Sequence, residues 1–166
     1  MEKQTSIDIL YQMAIDRLNA QIHRIDGIDS KIGITFGLTN AITATLVAFM
    51  AFATNPSEPF SKLVLSFLIL TILSYVITLA ILFFAYHHGM WSFRPEMKTL
   101  QDICINPKYH DYSPIIKEWV ADECIDSISY NRDRIIKKAK LADKALITLS
   151  AQVLFLVISF ISHLFC

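Results

Sequence analysis

Three apolar runs without a charged residue constrain this chain more than any other feature of its sequence. They occupy residues 33–53, 63–86 and 145–166, and none of them contains Lys, Arg, Asp or Glu. A helix that crosses a bilayer needs about 20 mostly apolar residues, and each run reaches that length. We therefore predict an all-α membrane protein with three transmembrane helices. The alternative, three buried core helices of a soluble domain, fits runs of this length poorly.

The basic residues predict which way the chain crosses the membrane. Of the 15 Lys and Arg residues, four precede the first run, only Lys62 lies between the first two runs, and the other ten lie in residues 87–144. Short loops rich in Lys and Arg stay cytoplasmic. We therefore expect a multi-pass membrane protein with its N-terminus and the long second loop in the cytoplasm and its C-terminus outside.

The residue pattern divides the chain into six segments. Residues 1–31 carry apolar residues at three- and four-residue steps, which predicts an amphipathic cytoplasmic helix. The first span then takes residues 32–54, an outer loop 55–62, the second span 63–86, a cytoplasmic helical segment 87–143 and the third span 144–166. Gly27 predicts a kink or break in the first helix. No Pro or Gly follows Pro114, so one long helix is expected to lead from the cytoplasm through the third span.

The apolar face of the N-terminal helix needs a partner. That partner is either the second loop of the same chain or another copy of the chain, and the sequence leaves both alternatives open. Self-association into a homo-oligomer is one of the two expectations, and membrane lipids are a partner in either case.

Small and polar residues inside the spans predict helix packing or a pore. Gly33, Gly37 and Asn40 share one face of the first span with several alanines, and Gln152 lies on the polar face of the third. Such residues let helices approach closely and hydrogen-bond to each other. They also line water-filled paths in some membrane proteins. Three helices cannot enclose an aqueous pore, so the second interpretation requires an oligomer.

The sequence holds no recognisable catalytic chemistry. It has no histidine pair with metal-ligand spacing, no nucleophile motif, no glycine-rich phosphate loop, and three cysteines without metal or redox spacing. We predict no catalytic residue, no metal, no cofactor and no nucleic-acid partner, and hence a protein that is not an enzyme. An anionic ligand would have to be held by cytoplasmic cations, for which the candidates are Arg94, Lys98, Arg132, Arg134 and Lys138.

Three short pieces of sequence carry a resemblance to a known family. They are residues 24–33 with Asp29 and Lys31 at the membrane entry, Phe93-Arg94-Pro95 after the second span, and residues 131–139 before the third. In layout and in these pieces the chain resembles the bacterial Pycsar transmembrane effector family. A second, two-span effector group of cyclic-oligonucleotide defence systems also has an N-terminal helix before its spans, but the third span departs from that plan.

The resemblance implies an antiphage defence effector. Such a protein responds to a cyclic pyrimidine mononucleotide made by a partner nucleotide cyclase and then impairs the inner membrane, which leads to abortive infection. From their position at the membrane entry we expect Asp29 and Lys31 to form a hydrogen-bonded pair that couples the cytoplasmic loop to the first span. A second hypothesis is a non-conducting scaffold or accessory subunit that docks a soluble partner at the membrane.

Overall fold

The structure, a computed structural model, describes residues 6–53, 61–87, 91 and 113–165. These residues form three helices: α1 (Ser6–Ala53), α2 (Lys62–His87) and α3 (Ser113–Phe165). Each is long and apolar enough to cross a membrane. The prediction of an all-α fold with three helices of spanning length is therefore confirmed for the described part of the chain, and these helices support a membrane protein.

Local sequence explains where the helices begin and why α1 does not break. The Ser61 hydroxyl accepts a hydrogen bond from the Val64 N–H at 3.4 Å, which makes Ser61 the N-cap of α2. In α3, Pro114 occupies the first turn, where its missing N–H has no cost. The prediction of a break at Gly27 is wrong, since α1 continues through it. A glycine costs a helix only about 1 kcal/mol, and long helical stretches on both sides outweigh that cost.

The chain divides into two compact units, and the divisions after Gly27 and after Ile136 fall inside α1 and α3. The first unit comprises Met1–Gly27 and Gly89–Ile136, and the second comprises Ile28–His88 and Lys137–Cys166. The short helix expected near residues 96–103 lies outside the described residues.

In the first unit, α1 and α3 pack as parallel helices around an apolar cluster. The Lys117 ammonium donates to the Asp8 carboxylate at 2.5 Å, and further along both helices the Gln21 amide donates to the Ile128 carbonyl at 3.0 Å. The core between these contacts is Ala14, Val120, Ala121 and Cys124, flanked by Tyr11, Ile15, Leu18, Ile116 and Trp119. Ala14 and Ala121 are small side chains within this cluster, which allows the helices to approach closely.

In the second unit, α2 runs antiparallel to α1 and α3. Asn40 pairs with Tyr75, whereas Leu46 and Phe49, later in α1, pack with Val64 and Leu68, earlier in α2. Leu156 of α3 completes this apolar cluster, which lies towards the C-terminal ends of α1 and α3.

The outer surface of the second unit is apolar, whereas much of its interior is polar. Large side chains such as Ile34, Val76 and Ile147 are exposed, while Thr39 and Gln152 are fully buried. In water this distribution would be unfavourable, but in a bilayer apolar side chains face lipid and polar groups find partners between helices. The distribution of exposed side chains therefore supports the membrane assignment independently of helix length.

Candidate functional site

The most unusual feature of the second unit is a row of threonines along the inner face of α1. Thr35, Thr39 and Thr43 follow one another at four-residue steps, and each hydroxyl donates to the carbonyl four residues earlier at 2.7–2.9 Å. This bond satisfies the hydroxyl proton inside its own helix and leaves the oxygen able to accept from a neighbouring helix. The row therefore places hydrogen-bond acceptors along the centre of the bundle.

Both other helices present polar side chains to this interior. The Gln152 amide donates to the Thr43 hydroxyl at 3.2 Å, and the Tyr75 hydroxyl donates to the Asn40 side-chain carbonyl at 3.3 Å. The hydroxyl oxygens of Thr78 and Thr148 lie 2.9 Å apart, within hydrogen-bond distance. Every pair of helices in the second unit is thus joined by at least one polar contact.

The Gln152 side chain is only half satisfied. It is fully buried, and its carbonyl oxygen has no hydrogen-bond partner in the described part of the chain. An unsatisfied buried acceptor typically costs about 1–3 kcal/mol. A second buried acceptor, the Gln21 carbonyl oxygen, has the same status in the first unit.

Two ion pairs join α1 to α3 near the start of the second unit. The Lys138 ammonium contacts the Asp29 carboxylate, and the Lys31 ammonium lies 2.5 Å from the Asp143 carboxylate. The expected Asp29–Lys31 pair is therefore wrong. Residues two apart on a helix point in different directions, so each instead meets an opposite charge on α3. The expectation that both belong to one coupling site remains a prediction.

The predicted ligand-binding cations have different surroundings. Lys138 is only 3% exposed and is occupied by its ion pair, so a ligand cannot reach its ammonium, and its predicted ligand-binding role is wrong for this conformation. In the first unit Arg132 is exposed, and the Arg134 guanidinium lies 4.3 Å from the centre of the Tyr130 ring, a cation–π contact. Arg94 and Lys98 lie outside the described residues.

The predicted small-residue face of α1 points away from the bundle. Gly33 and Gly37 are exposed, and a Cβ atom built at either position meets no atom within 4 Å. The prediction that this face packs within the three-helix unit is therefore wrong, whereas packing between copies stays a prediction. Asn40 and Gln152 do face other helices.

Sequence reasoning missed the threonine row and the acidic partner Asp143. The four-residue spacing of Thr35, Thr39 and Thr43 places all three on one helix face and could have predicted the row from sequence. No comparable signal pointed to Asp143, because its partner lies 112 residues away along the chain.

Among the residues that the structure describes, no group of three or more His, Cys, Asp or Glu side chains could hold a metal ion. No protein-family model matches the chain, and the comparisons with curated proteins and with solved structures also gave no match.

Proposed function

We propose that this chain is a membrane effector in which a cytoplasmic signal changes the packing of the polar interior of the second unit and thereby impairs a bacterial inner membrane. The observation that carries the proposal is Gln152, a fully buried amide with an unsatisfied carbonyl inside an apolar shell. Polar groups inside a membrane are costly and usually functional. α1 and α3 each contribute residues to both units without a break in the helix, which supports transmission of a signal along them.

Ligand-dependent leakage from liposomes tests this proposal. Gln152→Leu should leave the bundle folded and should strongly reduce leakage, because it removes the buried carbonyl. Ser150→Leu is the matched control, since Ser150 is exposed two residues earlier on the same helix. Equal leakage from both variants and the native protein would remove Gln152 from the mechanism.

The signal that we propose is a cyclic pyrimidine mononucleotide, as the family resemblance implies. Arg132 is exposed and available to a phosphate, and Arg94 is a second candidate. Loss of a charged donor to a bound phosphate should weaken binding about 10- to 150-fold in calorimetry of Arg132→Ala and Arg94→Ala. Lys62→Ala, at the start of α2, should bind as the native protein does. If the native protein binds no such nucleotide, the receptor role has to be abandoned.

We propose a cytoplasmic N-terminus and a periplasmic C-terminus on the basis of the Lys and Arg distribution. Cysteine labelling in intact cells tests this orientation. Cys124 is only 2% exposed, so its protection from a reagent would not report on sidedness. In a cysteine-free background, Ser57→Cys should therefore react with an impermeant reagent and Asn19→Cys, at an exposed position of α1, should not. The reverse result would invert the topology.

A non-conducting scaffold is the second candidate function. The observation that favours it is a groove of about 150 Å³ in the first unit, where Leu10, Met13 and Ile125 are exposed beside Arg17. Exposed apolar side chains rimmed by charge are typical of protein-binding surfaces. A scaffold should release no dye under any ligand condition, so the leakage assay separates the two functions.

A further inference from the structure

We infer that the second unit carries a binding site for one aminophospholipid, in a groove between α1 and α2. The groove encloses about 530 Å³ and is lined by Asp29, Gly33, Phe36, Leu82, Phe83 and Tyr86, among others. This volume lies within the range of small-molecule sites in proteins. The inference concerns the resting protein and does not depend on the proposed effector function.

The lining of the groove matches the two parts of a phospholipid. Apart from Asp29 and the hydroxyl of Tyr86, the groove is lined by apolar side chains and by Gly33, which has no side chain. Phe83 is exposed on the outer surface of the bundle, so the groove opens where acyl chains lie. A Cβ atom at Gly33 would meet no atom within 4 Å, which leaves open space beside this glycine for a chain. Each buried CH₂ group of a chain contributes about 0.8 kcal/mol.

Asp29 determines which headgroup the site selects. Its side chain is 43% exposed, whereas the Lys138 side chain that pairs with it is 3% exposed. An approaching headgroup therefore meets the carboxylate and not the ammonium. A carboxylate favours a headgroup with N–H donors, such as the primary ammonium of phosphatidylethanolamine. Phosphatidylcholine has the same charge but lacks any N–H donor.

The position of Asp29 along the helices fits this role. Asp29 is the first lining residue along α1, and Tyr86 is the last along α2. Because the two helices are antiparallel, both residues lie at the same end of the groove. Tyrosines are enriched at the level of lipid headgroups. The polar end of the groove therefore lies where a headgroup would be.

Native mass spectrometry of the purified full-length protein with defined lipids tests the site. The native protein should retain one phosphatidylethanolamine per chain and prefer it to phosphatidylcholine by about tenfold or more. Stepwise N-methylation of the headgroup should lower retention at each step, and this series requires no protein variant. Equal retention across the series would overturn the headgroup assignment.

Gly33→Leu should fill the groove and reduce lipid retention at least tenfold. Gly37→Leu is the matched control, because Gly37 is equally open but does not line the groove. If Gly33→Leu retains the lipid as the native protein does, the site is wrong. If the native protein holds no lipid and Gly33→Leu instead dissociates an oligomer, a second copy of the chain occupies the groove and the proposal is overturned.

Discussion

The two units are built partly from the same two helices, yet the contacts between these helices differ from one unit to the other. Where α1 and α3 pack in the first unit, Ala14 and Ala121 belong to one buried apolar cluster, and the buried polar residues Ser127 and Asn131 lie outside it. In the second unit, Thr43 meets Gln152 and the interior contains buried hydroxyls and an amide. In water, removal of apolar surface drives packing. In lipid that driving force is absent, and close contact and hydrogen bonds hold helices together. We therefore predict that the second unit faces lipid and the first faces water.

A charge placed on the outer surface of each unit should separate them most clearly. Val76 of the second unit is 56% exposed and Ile115 of the first is 55% exposed. Val76→Asp should oppose membrane insertion of α2 by about 2.5–3.5 kcal/mol. Ile115→Asp should change stability by no more than about 0.5 kcal/mol, since it is a surface substitution. A membrane-insertion assay and thermal unfolding in detergent measure the two effects. If both substitutions cost the same free energy, the second unit does not face lipid while the first faces water.

Breaking an ion pair should also cost more stability in the second unit than in the first, but the difference should be smaller than for a new surface charge. Asp29→Asn deprives the buried Lys138 of its carboxylate partner, and we expect a loss of about 2–3 kcal/mol, at or below the usual range for a buried pair because Asp29 is itself partly exposed. Asp8→Asn breaks the more exposed pair with Lys117 in the first unit and should cost about 0–1 kcal/mol. The cost of Asp8→Asn should decline in high salt, whereas that of Asp29→Asn should persist. Thermal unfolding at low and high salt tests both; identical salt dependence would place both pairs in water.

A larger side chain should destabilise a packed position of the first unit more than an open position of the second. Ala14→Leu forces three extra carbons into the interior of the first unit and should cost about 1–3 kcal/mol. Gly37→Leu should cost almost nothing in an isolated chain, because the space around Gly37 is open. Size-exclusion chromatography in detergent adds a second readout for Gly37→Leu. A smaller species would show that this face packs against another copy, and unchanged size and stability would assign it to lipid.

Several features of the fold were predictable from sequence because they depend on neighbouring residues. Charge-free runs long enough to cross a bilayer predicted three spanning helices, and the lack of Pro and Gly after Pro114 predicted a single α3. The side of α1 that faces the bundle was not predictable in this way. Lipid is as apolar as leucine, so hydrophobicity does not distinguish an inner from an outer face. Glycines such as Gly37 suggested one face, and the structure buries the threonine face instead.

The candidate site was less predictable than the fold because it depends on distant residues. The sequence marked Asn40 and Gln152 as polar groups within spans, which was sufficient to propose that they pack between helices. It held no information on the pairing of Asp29 with Lys138, because that contact depends on the relative position of α1 and α3. Periodicity describes one helix at a time, whereas the site is formed between helices.

Exchange of threonine and valine between the two interiors should produce the smallest effect. In the described part of the chain, the Thr39 hydroxyl bonds only within its own helix, to the Thr35 carbonyl at 2.7 Å. Thr39→Val keeps the shape and should cost about 0.6 kcal/mol or less. The reciprocal change, Val120→Thr, buries a hydroxyl in the apolar interior of the first unit and should cost about 1 kcal/mol or more. Thermal unfolding of both variants in one detergent gives the ranking. If Thr39→Val were the more costly change, the threonine hydroxyls would have to stabilise the second unit through contacts between helices. The two units would then differ in the strength of their interhelical hydrogen bonds as well as in their solvent.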